Sequence, residues 1–164
     1  MHADHGEHGG HGMMRKHYAL LGANLVVSAA VMYLVMFTMI WSVADFFNNL
    51  NTFYMTLMMV TPMGALMLLM MPMMYRNRRW NAALYGAFAL VFALSFYAMR
   101  EQALVDDRQF LRSMIPHHSG ALLMCREASV EDPEIRALCG EIIASQTREI
   151  DQMKRILATG SGGD

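Results

Sequence analysis

The chain has 164 residues, of which 55% are hydrophobic and 16% charged, against roughly 25% charged in ordinary soluble domains. Asp45 is the one formal charge among the 59 residues from His17 to Tyr75, whereas 19 of the 27 charges lie in the 65 residues from Arg100 onward. That asymmetry excludes a single soluble domain and indicates a membrane part followed by a small polar part. The polar part carries 8 Lys/Arg against 11 Asp/Glu, so no basic patch marks a nucleic-acid partner.

Residues 1–17 open the chain with His2, His5, His8 and His11 at a three-residue repeat among glycines and acidic residues. Such a tract packs no core and is expected to hold no stable helix. It reads as a flexible tail that gathers Zn, Ni or Cu(II) through imidazole, or as a solvated tail without a role.

A three-helix membrane domain is expected over 18–99. Three uncharged stretches, 18–43, 53–74 and 80–99, each reach the roughly 20 residues that a bilayer core demands. Asp45 with Asn48, Asn49 and Asn51 breaks the first from the second, and Arg76, Asn77, Arg78 and Arg79 break the second from the third. Pro62 and Pro72 kink a membrane helix without forbidding it. Ser28-Ala29-Ala30 also fits a signal-peptide cleavage site, but the apolar run continues beyond it, as in a retained anchor. Arg15 and Lys16 precede the first span and three arginines separate the second from the third. The N-terminus is therefore expected to be cytoplasmic and everything after Met99 to lie on the outer side, which in a bacterial inner membrane is the periplasm.

Methionine is abundant, 19 in all, and 15 precede residue 75. Met55, Met59, Met63, Met67, Met70, Met71 and Met74 form a nearly continuous stripe on the second span, and Met32, Met36 and Met39 a shorter one on the first. A stripe of this kind passes Cu(I) between thioethers or simply packs in the membrane, and packing is the stronger reading because no charged group accompanies it.

After Arg100 the pattern is helical. Leu104, Asp107, Phe110, Leu111, Met114, His118, Ala121, Leu122 and Cys125 recur at three- and four-residue steps, and so do Ile135, Leu138, Cys139, Ile142, Gln146, Ile150, Met153 and Leu157. Between them Asp132 reads as an N-cap, Pro133 as the first helical residue and Glu134 as its acidic first turn. Residues 100–158 are thus expected to form an antiparallel hairpin and 159–164 a flexible tail. Because both helices rise 1.5 Å per residue, residues whose numbers sum to about 263 or 264 lie level. Cys125 then meets Cys139, His117 and His118 meet Gln146, and Met114 meets Glu149 and Ile150. The cysteines have three readings: a disulfide pinning the hairpin, two buried thiols, or thiolate metal ligands. Two helices of this size bury too little surface to be stable alone, so a second copy is expected to complete a four-helix, ferritin-like bundle.

The sharpest motif is Met114-Ile115-Pro116-His117-His118. Thioether, imidazole and thiolate together favour Cu(I) or Ag(I) over hard cations, and Met114 is a helical neighbour of both imidazoles. Met124 and Cys125 lie two turns further on, about 10.8 Å away, so a second helix or a second chain must complete any one site. The bland alternative makes the methionines core fillers and the histidines internal hydrogen-bonding groups. Pro116 either opens the helix beside the histidines or begins a second helical segment.

With Asp107, Phe110, Met124, Glu134-Ile135, Gln146, Glu149-Ile150, Met153 and Leu157 in the same register, this motif resembles a bacterial family of domains of unknown function with a Met-Ile-x-His-His signature. The family includes the copper-binding CopM-type proteins. The resemblance implies a helical-bundle fold and copper or silver binding in the periplasm, with Met114, His117, His118, Met124 and Met153 as ligands. Cys125 and Cys139 depart from the family's usual alanines, and Ile156 from its frequent tryptophan.

The sequence therefore points to an all-α, non-enzymatic membrane protein that binds copper or silver for sequestration or handover. It contains no nucleophile with its base, no phosphate loop and no paired-carboxylate site. An accessory subunit of a larger membrane complex, with the His/Met motif structural, is the alternative, and a small cation carrier built on the methionine stripes is a third.

Overall fold

The computed structural model describes residues 7–160, with side chains from Arg15 onward. The described residues form five α-helices and no strand: α1 Glu7–Val35, α2 Leu50–Met70, α3 Arg78–Arg100, α4 Asp107–Glu127 and α5 Pro133–Thr159, with one 3-10 turn at Val43–Asp45. They divide into two compact units. The first comprises the described residues up to Tyr33 with Tyr54–Glu101, and the second comprises Leu34–Phe53 with the described residues from Gln102 onward.

The first unit holds most of three helices long and apolar enough to cross a membrane, over Arg15–Val35, Leu50–Met70 and Arg78–Arg100. Leu21, Leu68 and Tyr75 are buried together, and Tyr18, Leu25, Met67, Leu84 and Phe88 pack on them. Gly64 matters to that packing. A Cβ there would come within 2.7 Å of the Phe88 ring, so the absent side chain is what lets α2 and α3 close. At one end Tyr18 donates its hydroxyl to Asn81 Oδ1 at 2.7 Å, and Asn81 Nδ2 donates to the Tyr75 carbonyl, also at 2.7 Å. Asn77 caps α3 by accepting from the Arg79 and Trp80 amides, each at 3.1 Å. Pro62 lies inside an uninterrupted α2, whereas Pro72 falls just beyond its end.

Two boundaries differ from the sequence expectation. Helix α1 begins at Glu7, inside the histidine tract, because extending a helix that the apolar span has nucleated costs far less than starting one. The backbone at His8 and His11 is therefore helical, whereas His2 and His5 lie outside the described residues. At its other end α1 stops at Val35 instead of continuing to Val43. The chain turns there through Phe37 N–H to Leu34 O and Thr38 N–H to Val35 O, both 3.0 Å. Tertiary packing outweighs the local preference for helix: Phe37 is buried, its ring 4.4 Å from that of Phe46. Residues 36–49 thereby leave the first apolar stretch and join the second unit.

In that second unit α4 and α5 form the expected antiparallel hairpin. Asp106 caps α4 through the Gln109 amide at 2.7 Å, and Asp132 caps α5 through the Glu134 and Ile135 amides at 2.8 and 3.2 Å. Pro133 is the first helical residue. Helix α4 runs unbroken through Pro116, so the proline neither opens the helix nor starts a new one. Ile115, Leu122, Ile150, Met153 and Leu157 form the core, packed by Leu111, Met114, Ile143 and Phe47 of the linker. The buried arc of α4 is rotated from the one expected. Ile115 and Ser119 are fully buried while Phe110 is half exposed, because the linker covers a face that the hairpin alone would leave to solvent.

Candidate metal site on the hairpin

Helix α4 brings Met114 and His118 one turn apart on one side, and α5 does the same for Glu149 and Met153. His118 Nε2 lies 3.6 Å from Glu149 Oε2. Both thioethers belong to the hairpin core, Met153 as a buried member and Met114 as a half-buried neighbour.

The electrostatics of His118 follow from its place. Burial holds its imidazole below the ordinary histidine value, the Glu149 carboxylate opposes that effect, and His117 adds to the lowering. The neutral form is thus favoured at pH 7, and a neutral imidazole carries one N–H and one lone pair. The tautomer with its proton on Nε2, the nitrogen nearer the Glu149 carboxylate, has its lone pair on Nδ1. That atom is buried and, among the described residues, has no hydrogen-bond partner. Gln146 Oε1, on the same stretch of α5, is also buried and unpartnered. Buried polar atoms are normally satisfied, and a carboxylate on the distal nitrogen of a histidine is the usual way a ligating imidazole is oriented.

The remaining expected ligands are dispersed. His117 stands exposed, its ring centroid 5.9 Å from that of His118. Met124 is exposed, two turns beyond His117. Cys125 and Cys139 form a disulfide with Cα atoms 5.2 Å apart. Of their three readings the structure takes the first, and they have no free thiol to offer a metal. His2 and His5 fall outside the described residues, as do the side chains of His8 and His11. Among the described residues no three His, Cys, Asp or Glu side chains converge. On α2 the methionine stripe is not enclosed. Met59 and Met70 are exposed, and Met71 and Met74 lie beyond the helix end.

Sequence reasoning assigned Asp45 no role beyond a break between spans. It is buried, 3% exposed. Its Oδ2 accepts from Ser119 Oγ of α4 and its Oδ1 from Lys154 Nζ of α5, each at 2.5 Å. Ser119 in turn accepts the Trp41 amide at 2.7 Å, and the Arg126 guanidinium sits 4.5 Å above the Trp41 ring. One signal pointed here: a lone carboxylate in 59 residues of otherwise uncharged chain is costly to bury without a partner.

A model of a domain of unknown function, DUF305, matches residues 96–157. An uncharacterized protein of Acanthamoeba polyphaga mimivirus, L153, is 36% identical over 118 residues, which cover 71% of this chain and 76% of that protein. The chain belongs to the DUF305 family. No solved structure matches it. The DUF305 segment starts within α3 and takes in α4 and nearly all of α5. It therefore contains Met114, His118, Glu149, Met153 and both cysteines but not the linker with Asp45.

Proposed function

We propose that this DUF305 protein is a membrane-anchored copper-binding protein whose hairpin captures Cu(I), with Ag(I) binding in the same way, for sequestration or handover. The observation that carries the reading is the unpartnered, buried Nδ1 of His118, on a hairpin whose core holds Met153 and is packed by the half-buried Met114. Two thioethers and one neutral imidazole are the donor set that soft monovalent ions prefer. His117, one residue from His118 and exposed, is placed to receive metal from solvent.

Three membrane crossings suit this arrangement. Consecutive crossings by α1 and α2 leave residues 36–49 on the side where α1 ends, and the end of α3 returns to that side. The linker and the hairpin, joined through Asp45, then share one compartment. Arg15, Lys16 and the arginines at 76, 78 and 79 put the opposite side in the cytoplasm, which makes the hairpin periplasmic if the membrane is a bacterial inner membrane.

The test is a competition titration of the full-length chain in detergent with Ag(I), which needs no reductant and leaves the disulfide intact. Tight binding that is lost on joint replacement of Met114, His118 and Met153 is expected. Absent binding, or binding indifferent to the three replacements, refutes the reading.

One observation favours the second reading, a homo-oligomer or a subunit of a larger complex. Phe110, Met124, Ile135, Leu138 and Ile156 are all exposed on the hairpin. A second copy covering them completes a four-helix bundle, and mass-detected gel filtration distinguishes a dimer from a monomer or a fixed hetero-complex.

A further inference from the structure

We propose that the linker between α1 and α2 is an integral part of the metal site, with Asp45 as its positioning residue. The inference rests on the copper reading above and concerns how the site's geometry is held.

A hairpin fixes its two helices firmly only near the turn, where here the disulfide joins Cys125 to Cys139. The candidate ligands lie further from that end, where the spacing and rotation of α4 against α5 need another restraint. Asp45 supplies it. Its two carboxylate oxygens reach different helices, one to Ser119 and one to Lys154. Ser119 directly follows His118, and Lys154 directly follows Met153. A single side chain from outside the hairpin therefore ties together the two residues that adjoin the imidazole and the buried thioether.

The rest of the linker reinforces that tie. The Trp41 amide holds the Ser119 hydroxyl from its other side, which fixes that hydroxyl as donor to Asp45. The Met39 carbonyl lies 3.5 Å from where a Cβ on Gly120 would stand, so the linker backbone runs against α4 one residue further along. Phe47 packs into the core that contains Met153. A soft-metal site with so few ligands depends on their separation to about 0.5 Å, and rotating α4 enough to release Ser119 turns His118 with it. The linker lies outside the residues matched by the DUF305 model, so this restraint belongs to the membrane-anchored architecture of this chain.

The experiment uses the full-length protein in nanodiscs, Ag(I) competition titration, and X-ray absorption at the silver edge to count nitrogen and sulfur ligands. Asp45→Ala is expected to weaken binding at least tenfold and to remove the imidazole or a thioether from the coordination shell. Asp45→Asn, which keeps an acceptor for Ser119, is expected to weaken it about threefold and preserve the shell. Leu157→Ala, which loosens the same core and leaves Asp45, Ser119 and Lys154 in place, serves as the stability control and is expected to retain wild-type affinity and ligands. The inference is overturned if Asp45→Ala binds as the wild type does, or if Leu157→Ala loses as much. Should Asp45→Ala not fold, wild-type affinity in Asp45→Asn overturns it instead. A wild-type protein that binds no Ag(I) removes the copper reading and this inference together, whereas wild-type binding with unaffected Asp45 variants removes the inference alone.

Discussion

Replacing Lys154 by methionine keeps the aliphatic stem and removes the cation from a carboxylate that is 5% exposed in its side chain. Breaking a fully buried pair in this way costs about 3–5 kcal/mol, because the remaining charge is left uncompensated. Two features of the structure reduce that figure. Lys154 is 31% exposed in its side chain, so water enters where the ammonium was, and Ser119 still donates to the other oxygen. The expected loss is about 1–3 kcal/mol. Trp41 reports it directly, since its ring lies under Arg126 and its amide on Ser119. The chain has 2 tryptophans, so Trp80→Phe leaves Trp41 as the one tryptophan emitter. With a slope of about 1 kcal/mol per molar urea for so small a transition, the midpoint of linker release should fall by about 1–3 M. Adding Asp45→Asn to Lys154→Met removes both charges, and the double variant should be less destabilised than the sum of the single ones. A midpoint shift below about 0.3 M, or strict additivity, refutes the claim that these two charges stabilise each other in the fold.

The disulfide closes a loop with a sequence separation of 14, for which constraint of the unfolded chain is worth about 3 kcal/mol. Cys125→Ala with Cys139→Ala should lower hairpin stability by about that amount and leave Ag(I) affinity within about twofold, read by urea unfolding and chelator competition. His118 titrates below its unfolded value because of burial. Its neutral form therefore contributes stability that is complete above about pH 6.5 and is lost as pH falls through the lowered native value, since the unfolded state then binds more protons. Thermal melts should show that loss and His118→Gln should abolish it, while Ag(I) binding should persist below pH 6.5 until the same native value is reached. Asp132→Ala, which strips the amides of Glu134 and Ile135 of their acceptor, should cost about 1 kcal/mol, measurable as a downward shift in the melting temperature.

Local features of the hairpin were legible in the sequence because their causes are local. Asp132, Pro133 and Glu134 start a helix by capping chemistry contained in three residues, and the level of Cys125 with Cys139 follows from equal rise on either side of a short turn. The loss of 36–43 from the first span was not legible. Those residues are apolar and uncharged, and nothing nearby distinguishes a span from a segment that packs on a protein surface. What decides is the pairing of Asp45 with Ser119 and Lys154, 74 and 109 residues away, which no periodicity records. The rotated face of α4 has the same origin, since Ile115 and Ser119 are buried beneath residues that a hairpin considered alone does not include. Within the candidate site, Met114, His118 and Met153 stand out in the sequence because residue type and spacing coincide on facing helices. Met124 shares the residue type but lies on the exposed side, a difference that only the packing of the two helices reveals.

The clamp also imposes an order on biogenesis. Asp45 leaves the ribosome 109 residues ahead of Lys154, which at about 5–20 residues per second is a wait of about 5–20 s. For the first 74 residues of that interval Trp41, Phe46 and Phe47 have been made while neither helix of the hairpin is complete. The hairpin, whose own contacts are short in sequence, can form as soon as its last turn emerges, and the linker closes onto it last. Truncation before Lys154 therefore removes more than a helix end: it takes away the cation that meets Asp45 and leaves a carboxylate synthesised far earlier with Ser119 alone.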